Sequence, residues 1–411
     1  MKTRYVWQSY RKAWLHEAID QLYAISAYAS ILFAILGGYL IDKIGIKACT
    51  IIFSFIVLIA HWLFTITIFI PSTNTPIFIV CLFSRFLLGM GRDIVNVCRL
   101  VAVTLWFDRN ACGFPFGFVI AATNFAIAMN YFLAIQIHNH KVNIICLIGV
   151  ALSILSLISS LMYVGFQKSA EIKLPDQFET RRSLKQPFKF FFDNRVEYRF
   201  WVIWAITLFL YVSKSNFLRI VDILFIEKFG RDSIHEYAPV IAYLIPSIVW
   251  PIVGILIDKI GYQITILIIA WILWTVSHLL FTFLPGGLLM FPIIALVLFS
   301  LSYSIFVVWL YASVPKVVDK DAIGTGYGIV TACQFFGITI SPLFGLLINE
   351  ESESIEPCLL VIFTATSFVA ALISIFMLIV EFVHTKRSSG WQKIIEHDNE
   401  NSQDSDPEND S

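Results

Sequence analysis

Eleven stretches of this chain are apolar for long enough to cross a lipid bilayer, and short polar breaks separate them. They cover 22–41, 49–71, 77–103, 113–136, 143–165, 201–225, 238–257, 264–284, 289–313, 324–348 and 357–383. A hydrocarbon core ~30 Å thick takes ~20 helical residues to span. Inside it no water reaches a peptide group, so each span must satisfy its backbone internally, which a helix does. The expected fold class is therefore all-α, a multi-spanning membrane protein with about 11 transmembrane helices. Composition agrees, with 58% hydrophobic and 14% charged residues against ~25% charged in soluble domains. Mean hydropathy is +0.78. The lipid bilayer is thus the main solvent, and a formal net charge of +0 argues against nucleic acid as a partner.

The breaks are short and turn-like, as at Pro71-Ser72-Thr73-Asn74 and Pro285-Gly286-Gly287. One break is different. Residues 166–200 form a cytosolic linker with interleaved Lys, Arg, Asp and Glu, and it divides the spans five to six. The expected organisation is a polar N-terminal segment at 1–21, a five-helix bundle at 22–165, the linker, a six-helix bundle at 201–383, and a cytosolic tail at 384–411. The tail is rich in Asp, Glu, Asn and Ser, a composition that does not build a core.

Lys and Arg set the orientation. With the loop after 22–41 in the cytosol, the cytosolic segments hold 17 of them and the opposite loops only Lys141, Lys228 and Arg231. That asymmetry satisfies the positive-inside rule. The N-terminus does not fit, because Lys2, Arg4, Arg11 and Lys12 then sit outside. Either a first helix is missing from this sequence or residues 5–21 form an interfacial helix. The missing helix is the expectation.

One motif occurs twice. Gly38-Tyr39-Leu40-Ile41-Asp42-Lys43-Ile44-Gly45 and Gly254-Ile255-Leu256-Ile257-Asp258-Lys259-Ile260-Gly261 both read G-x-x-x-D-K-x-G, 216 residues apart. Two copies at matching places indicate two homologous halves. The first glycine of each allows a neighbouring helix to approach. The aspartate can pair with a helix N-terminus or an arginine across the seam. Gly45 and Gly261 supply a tight turn.

This loop signature resembles that of the major facilitator superfamily. Arg85-Phe86-Leu87-Leu88-Gly89-Met90-Gly91 resembles the family's R-x-x-x-G-x-G, and Trp106-Phe107-Asp108-Arg109 its W-F-x-x-R. A narrower resemblance, to lysosomal dipeptide transporters within the superfamily, rests on Glu227-Lys228-Phe229-Gly230, Ser277-His278-Leu279-Leu280, Leu301-Ser302-Tyr303-Ser304 and Gly324-Thr325-Gly326-Tyr327-Gly328. It implies twelve helices, alternating access, and uniport-like dipeptide export across the lysosomal membrane. It also implies a glycosylated single-span partner on the lumenal side. A homodimer and a plasma-membrane location are compatible with the same reading. Gly38, Asp42, Lys43, Gly45, Gly254, Asp258, Lys259 and Gly261 would form the gating motif. Arg85 and Gly89 would be structural.

Seven charged residues lie inside spans and more than two residues from a span end: Arg85, Arg92, Asp93, Arg99, Lys214, Arg219 and Asp222. Each costs ~2.5–3.5 kcal/mol at the bilayer centre on insertion scales, so each needs a partner or a function. Arg85, Arg92 and Arg99 repeat every seven residues and share a helix face. Arg92 and Arg99 could line a cavity or pair with Asp93 or Asp222. By the resemblance, Asp93 takes the place of a cavity glutamate, Asn124 that of an arginine and Asp222 that of a lysine. The expected substrate site is Asp93, Arg99, Asn124, Arg219 and Asp222. The seven span charges, five basic and two acidic, sum to net +3, an excess that suits a carboxylate or phosphate, so the expected solute is a dipeptide or an organic anion. A non-transporting scaffold or trafficking partner is the other class considered. His61 and His278 read as structural histidines. The seven cysteines form no C-x-x-C pair, and no H-E-x-x-H or G-x-S-x-G occurs in the spans. Neither a metal, a cofactor nor an enzyme activity is expected.

Overall fold

The structure is a computed structural model that describes residues 2–70, 75–108, 111–136, 142–173, 198–229, 234–260, 263–283 and 290–346, with a few helical residues between 365 and 376. Among these the chain forms α1 (Lys2–Ile44), α2 (Ile46–Phe69), α3 (Thr75–Trp106), α4 (Gly113–Gln136) and α5 (Val142–Lys173). It continues with α6 (Tyr198–Phe229), α7 (Ile234–Ile260), α8 (Gln263–Phe283), α9 (Met290–Val317), a 3-10 turn (Lys320–Ala322) and α10 (Ile323–Leu346). The all-α class stands.

Helix ends overshoot the apolar runs. α5 continues to Lys173 and α6 begins at Tyr198, both inside the 166–200 segment. α1 starts at Lys2 and runs unbroken through the polar 2–21 segment. A backbone ladder need not stop where hydrocarbon stops, and polar side chains beyond that point face water. Lys47 and Glu171 illustrate this, with a 2.5 Å ion pair joining α2 to the far end of α5.

Among the described residues, seven helices contain stretches long and apolar enough to cross a membrane: Ala24–Ile44, Ile46–Phe69, Gly113–Gln136, Asn143–Lys173, Tyr237–Ile260, Thr265–Phe283 and Pro292–Val317. The expected total of about 11 spans is not reached within the described residues. The run at 357–383 lies mostly outside them. Large apolar side chains such as Phe55, Ile66, Leu155 and Ile252 are exposed, as a lipid-facing surface requires. Pro239, Pro246 and Pro251 lie inside α7, which membrane helices tolerate when neighbours re-satisfy the freed carbonyls.

α1 packs on α2 and α3, and α2 on α3 and α5. In the second half α6 packs on α10, α7 and α9, while α8 lies against α9. The second half has an aromatic core: Trp274 and Phe299 lie 4.5 Å apart, Trp271 and Phe306 4.1 Å, and Phe217 and Phe299 4.4 Å. His278 is buried within it, 5.3 Å from the Phe217 ring. The nitrogen Nε2 of His278 is 3.5 Å from Ser213 Oγ, which accepts the Trp274 indole N–H at 3.1 Å. That packing is the structural role expected of His278.

The two halves meet along two main seams, α1 against α10 and α4 against α7, with α3 on α10 and α4 on α9 adding to them. Both seams are built on small residues, which let backbones approach closely where lipid gives no hydrophobic drive for association.

Candidate transport site

At one end of the molecule each half holds the other by a carboxylate. α1 ends at Ile44, and Gly45 turns the chain with φ 99°, a conformation L-residues avoid. This turn leaves Asp42 in the last turn of α1, beside the start of α10. Its carboxylate accepts the Gly324 N–H at 2.8 Å, the Thr325 N–H at 2.6 Å and the Thr325 hydroxyl at 2.7 Å. The two N–H groups are orphan donors of a helix N-terminus, where the macrodipole also favours negative charge.

Asp258 repeats the arrangement in the other seam. From the last turn of α7 it accepts the Gly113 and Phe114 N–H groups at the start of α4, both at 2.8 Å. The approach leaves no room for a side chain. A Cβ on Gly113 would fall 2.6 Å from Asp258 Oδ1 and 2.7 Å from the Gly254 carbonyl. A Cβ on Gly324 would fall 2.5 Å from Asp42 Oδ1 and 2.7 Å from the Gly38 carbonyl. Gly38 and Gly254 thus face Gly324 and Gly113 across the seams.

The two motif lysines do less. Lys43 lies 5.6 Å from the Tyr39 ring centroid, and Lys259 is exposed. Gly261 lies outside the described residues.

The remaining charges sit near the middle of α3 and α6. Asp93 is buried, at 2% exposure. Its partner is the adjacent Arg92, whose Nε and Nη2 donate to Oδ1 and Oδ2 at 3.2 and 3.3 Å. Arg92 Nη2 also donates to Ser30 Oγ of α1 at 3.2 Å, and its guanidinium faces the Phe335 ring of α10 at 5.5 Å. Arg92 therefore reaches the seam between the halves. The salt bridge to Asp93 that the sequence allowed for this arginine is present. Arg99, one heptad on, makes no such pair among the described residues and donates to Thr123 Oγ1 of α4 and Asn96 Oδ1. Asn124 is buried beside Thr123. Arg219 and Asp222 lie on α6, but their side chains fall outside the described residues.

Arg85 and Gly89 belong to the inside of the first half. The Arg85 guanidinium stacks over Phe64 of α2 at 4.0 Å. A Cβ on Gly89 would fall 2.5 Å from the Ser26 carbonyl of α1.

Several residues escape a reading of the sequence. Gly113, Gly324 and Thr325 complete the two carboxylate contacts, yet they stand outside the repeated motif. Lys214 of α6 donates to the Tyr303 hydroxyl of α9 at 2.6 Å and faces the rings of Tyr303, Tyr211 and Tyr243 at 4.1, 5.4 and 5.5 Å. Tyr243 of α7 stacks on Tyr131 of α4 across the seam, with centroids 5.7 Å apart and planes at 14°. The only sequence signal for this cluster was a lysine inside an apolar run.

The sequence matches the Major Facilitator Superfamily over residues 12–342 and, in a second overlapping match, 233–400. The human lysosomal dipeptide transporter MFSD1 is 28% identical over 345 residues, covering 80% of this chain and 71% of the relative. The zebrafish (Danio rerio) protein of the same name is 26% identical over 334 residues, covering 78% and 70%. Among solved structures, the human organic anion transporter MFSD10 superposes with a TM-score of 0.65 at 14% identity, covering 85% of this chain and 83% of its own. The transporter FucP, in its outward conformation, gives 0.62 at 15% identity, covering 87% and 89%. At such identities these structures speak to the fold alone. The chain belongs to the major facilitator superfamily, as a multi-pass membrane transporter.

Proposed function

We propose that this transporter carries dipeptides across the lysosomal membrane by alternating access, as a uniporter. The observation that carries the proposal is the placement of both signs of charge at mid-helix positions on the seam. Asp93 with Arg92 and Arg99 come from the first half, and Lys214 comes from the second. A dipeptide is a zwitterion, so it needs an acceptor for its ammonium and a donor for its carboxylate. The 26–28% identity to lysosomal dipeptide transporters supports the same substrate and membrane.

In this proposal the central site comprises Asp93, Arg99, Asn124, Arg219 and Asp222. Asp42 and Asp258 act as gates that hold the cytosolic ends of the two halves together while the lumenal side is open. Charge-assisted hydrogen bonds contribute ~1.5–3 kcal/mol each, and helix-terminus charge interactions add ~0.3–1 kcal/mol. Five such bonds among the described residues hold one state without locking it, because water replaces them on opening. The 22–165 and 201–383 segments move as the two rocking bodies. A glycosylated single-span protein on the lumenal side is the proposed partner.

One observation favours an organic anion as solute instead. Among the described residues neither Arg99 nor Lys214 has a carboxylate partner, so both cations suit an anionic solute. Uptake of a labelled dipeptide and of a labelled dicarboxylate by purified protein in liposomes separates the two. Saturable dipeptide counterflow supports the proposal. Flux of the anion alone replaces it with the second reading, and flux of neither points to a scaffold.

A further inference from the structure

We propose that Lys214 is the carboxylate-binding group of the central site, with Tyr303 as its hydrogen-bonding partner and the rings of Tyr211 and Tyr243 as walls. The proposal rests on the transporter reading above and adds which end of the solute is held, and by what.

Lys214 lies halfway along α6, where an ammonium is costly. A lysine serving only structure would be neutralised by a carboxylate, and among the described residues no carboxylate reaches it. The backbone of Asp222 stands eight residues further along α6, ~12 Å of axial rise. The ammonium is held by one hydroxyl and three ring faces. Ring quadrupoles attract a cation without cancelling its charge. An ammonium has three donors, and the Tyr303 hydroxyl takes one. That phenol accepts from Nζ, which leaves its own O–H to donate. The ammonium and the phenol together offer two donors to the two oxygens of one carboxylate.

The position suits a transported solute. The three tyrosines come from α6, α7 and α9, which converge here on the seam facing α4. Tyr243 is at once a wall of the lysine site and the ring that stacks on Tyr131 of the opposite half. Lys214 is itself half-buried, so an anion can reach it.

The test is isothermal titration of the full chain in lipid nanodiscs, using leucyl-alanine, leucyl-alaninamide, N-acetyl-leucine and inorganic phosphate. Wild type should bind the free acid at least tenfold more tightly than the amide. Lys214→Gln should weaken the acid by tenfold or more and leave the amide within twofold. Lys214→Arg should restore part of the preference. Lys214→Met, which removes a mid-membrane charge without adding a polar group, serves if Lys214→Gln folds poorly; melting temperature checks folding. Retention of the acid preference in either neutral variant overturns the proposal. So does a wild type that binds no carboxylate probe, or one in which phosphate alone depends on Lys214. If wild type ignores both dipeptide forms but binds N-acetyl-leucine in a Lys214-dependent way, the carboxylate site stands and the dipeptide reading falls.

Discussion

The carboxylate of Asp42 accepts two hydrogen bonds from Thr325, one from the backbone N–H at 2.6 Å and one from the hydroxyl at 2.7 Å. The pair joins the last turn of α1 to the first turn of α10, 283 residues along the chain. Asp258 makes the matching junction between α7 and α4 but meets Phe114 there, which has no hydroxyl. The hydroxyl that Thr325 gives Asp42 thus has no counterpart in Phe114.

Asp42→Asn should loosen the α1–α10 junction by ~1.5–3 kcal/mol, the scale of a charge-assisted hydrogen bond. That shifts the conformer balance roughly 10- to 100-fold toward opening at this end. Transport should slow while expression stays near wild type. Cysteine accessibility beside Lys47, read with a transport assay, checks both. Unchanged rate and unchanged accessibility would sink the gating role.

Thr325→Val should reproduce a smaller part of the same effect, about 0.5–1.5 kcal/mol before any charge assistance, because the two backbone donors to Asp42 remain. In an Asp42→Asn background the further change should be negligible. A full second effect in the double variant would mean that the hydroxyl acts elsewhere.

Gly113→Ala and Gly324→Ala should both be costly despite adding a single carbon. Each Cβ would land within 2.7 Å of an oxygen on the opposing helix, and overpacking of this kind costs ~1–3 kcal/mol. The expected result is a lower melting temperature and a seam forced apart. Gly165→Ala is the control, since its Cβ would meet nothing within 4 Å.

Tyr131→Ala should remove an aromatic contact between α4 and α7 worth ~0.5–1.5 kcal/mol, at the end far from Asp258. Accessibility of a cysteine near Gln136 should rise, while that near Lys47 should not. Equal increases at both ends would show a general loosening of the fold and refute a local gate.

Arg99→Lys keeps the charge but loses the planar fork that reaches Thr123 and Asn96 together. Solute affinity should fall by ~1–3 kcal/mol if the guanidinium also meets an anionic group. Asp93→Asn leaves Arg92 without its carboxylate and should weaken binding of a solute ammonium. Unaltered affinity in both variants, with normal folding, would remove α3 from the site.

The expected sidedness places Arg182 in the cytosol and Glu351 on the opposite face. Both lie outside the described residues, so labelling an engineered cysteine at each from either side is the direct measurement. Finding them on one side would overturn the orientation.

Sequence alone determined the class of fold, because a bilayer leaves an apolar run of ~20 residues little choice but a helix. It also pointed to two related halves, because Asp42 and Asp258 stand in the same eight-residue frame. What each aspartate touches was beyond it. Gly324, Thr325, Gly113 and Phe114 lie in other helices, and their free N–H groups become partners only when helix ends from opposite halves are packed together. The same holds for the charges on α3. A seven-residue spacing put Arg85, Arg92 and Arg99 on one face, and the Arg92–Asp93 pair was open to the sequence, yet packing alone sent Arg85 to Phe64 and Arg99 to Thr123. Lys214 was visible in the sequence as a charge inside an apolar run. Its three tyrosines come from α6, α7 and α9, and only tertiary structure brings those helices to one point, because side-chain contacts between spans leave no period along the chain.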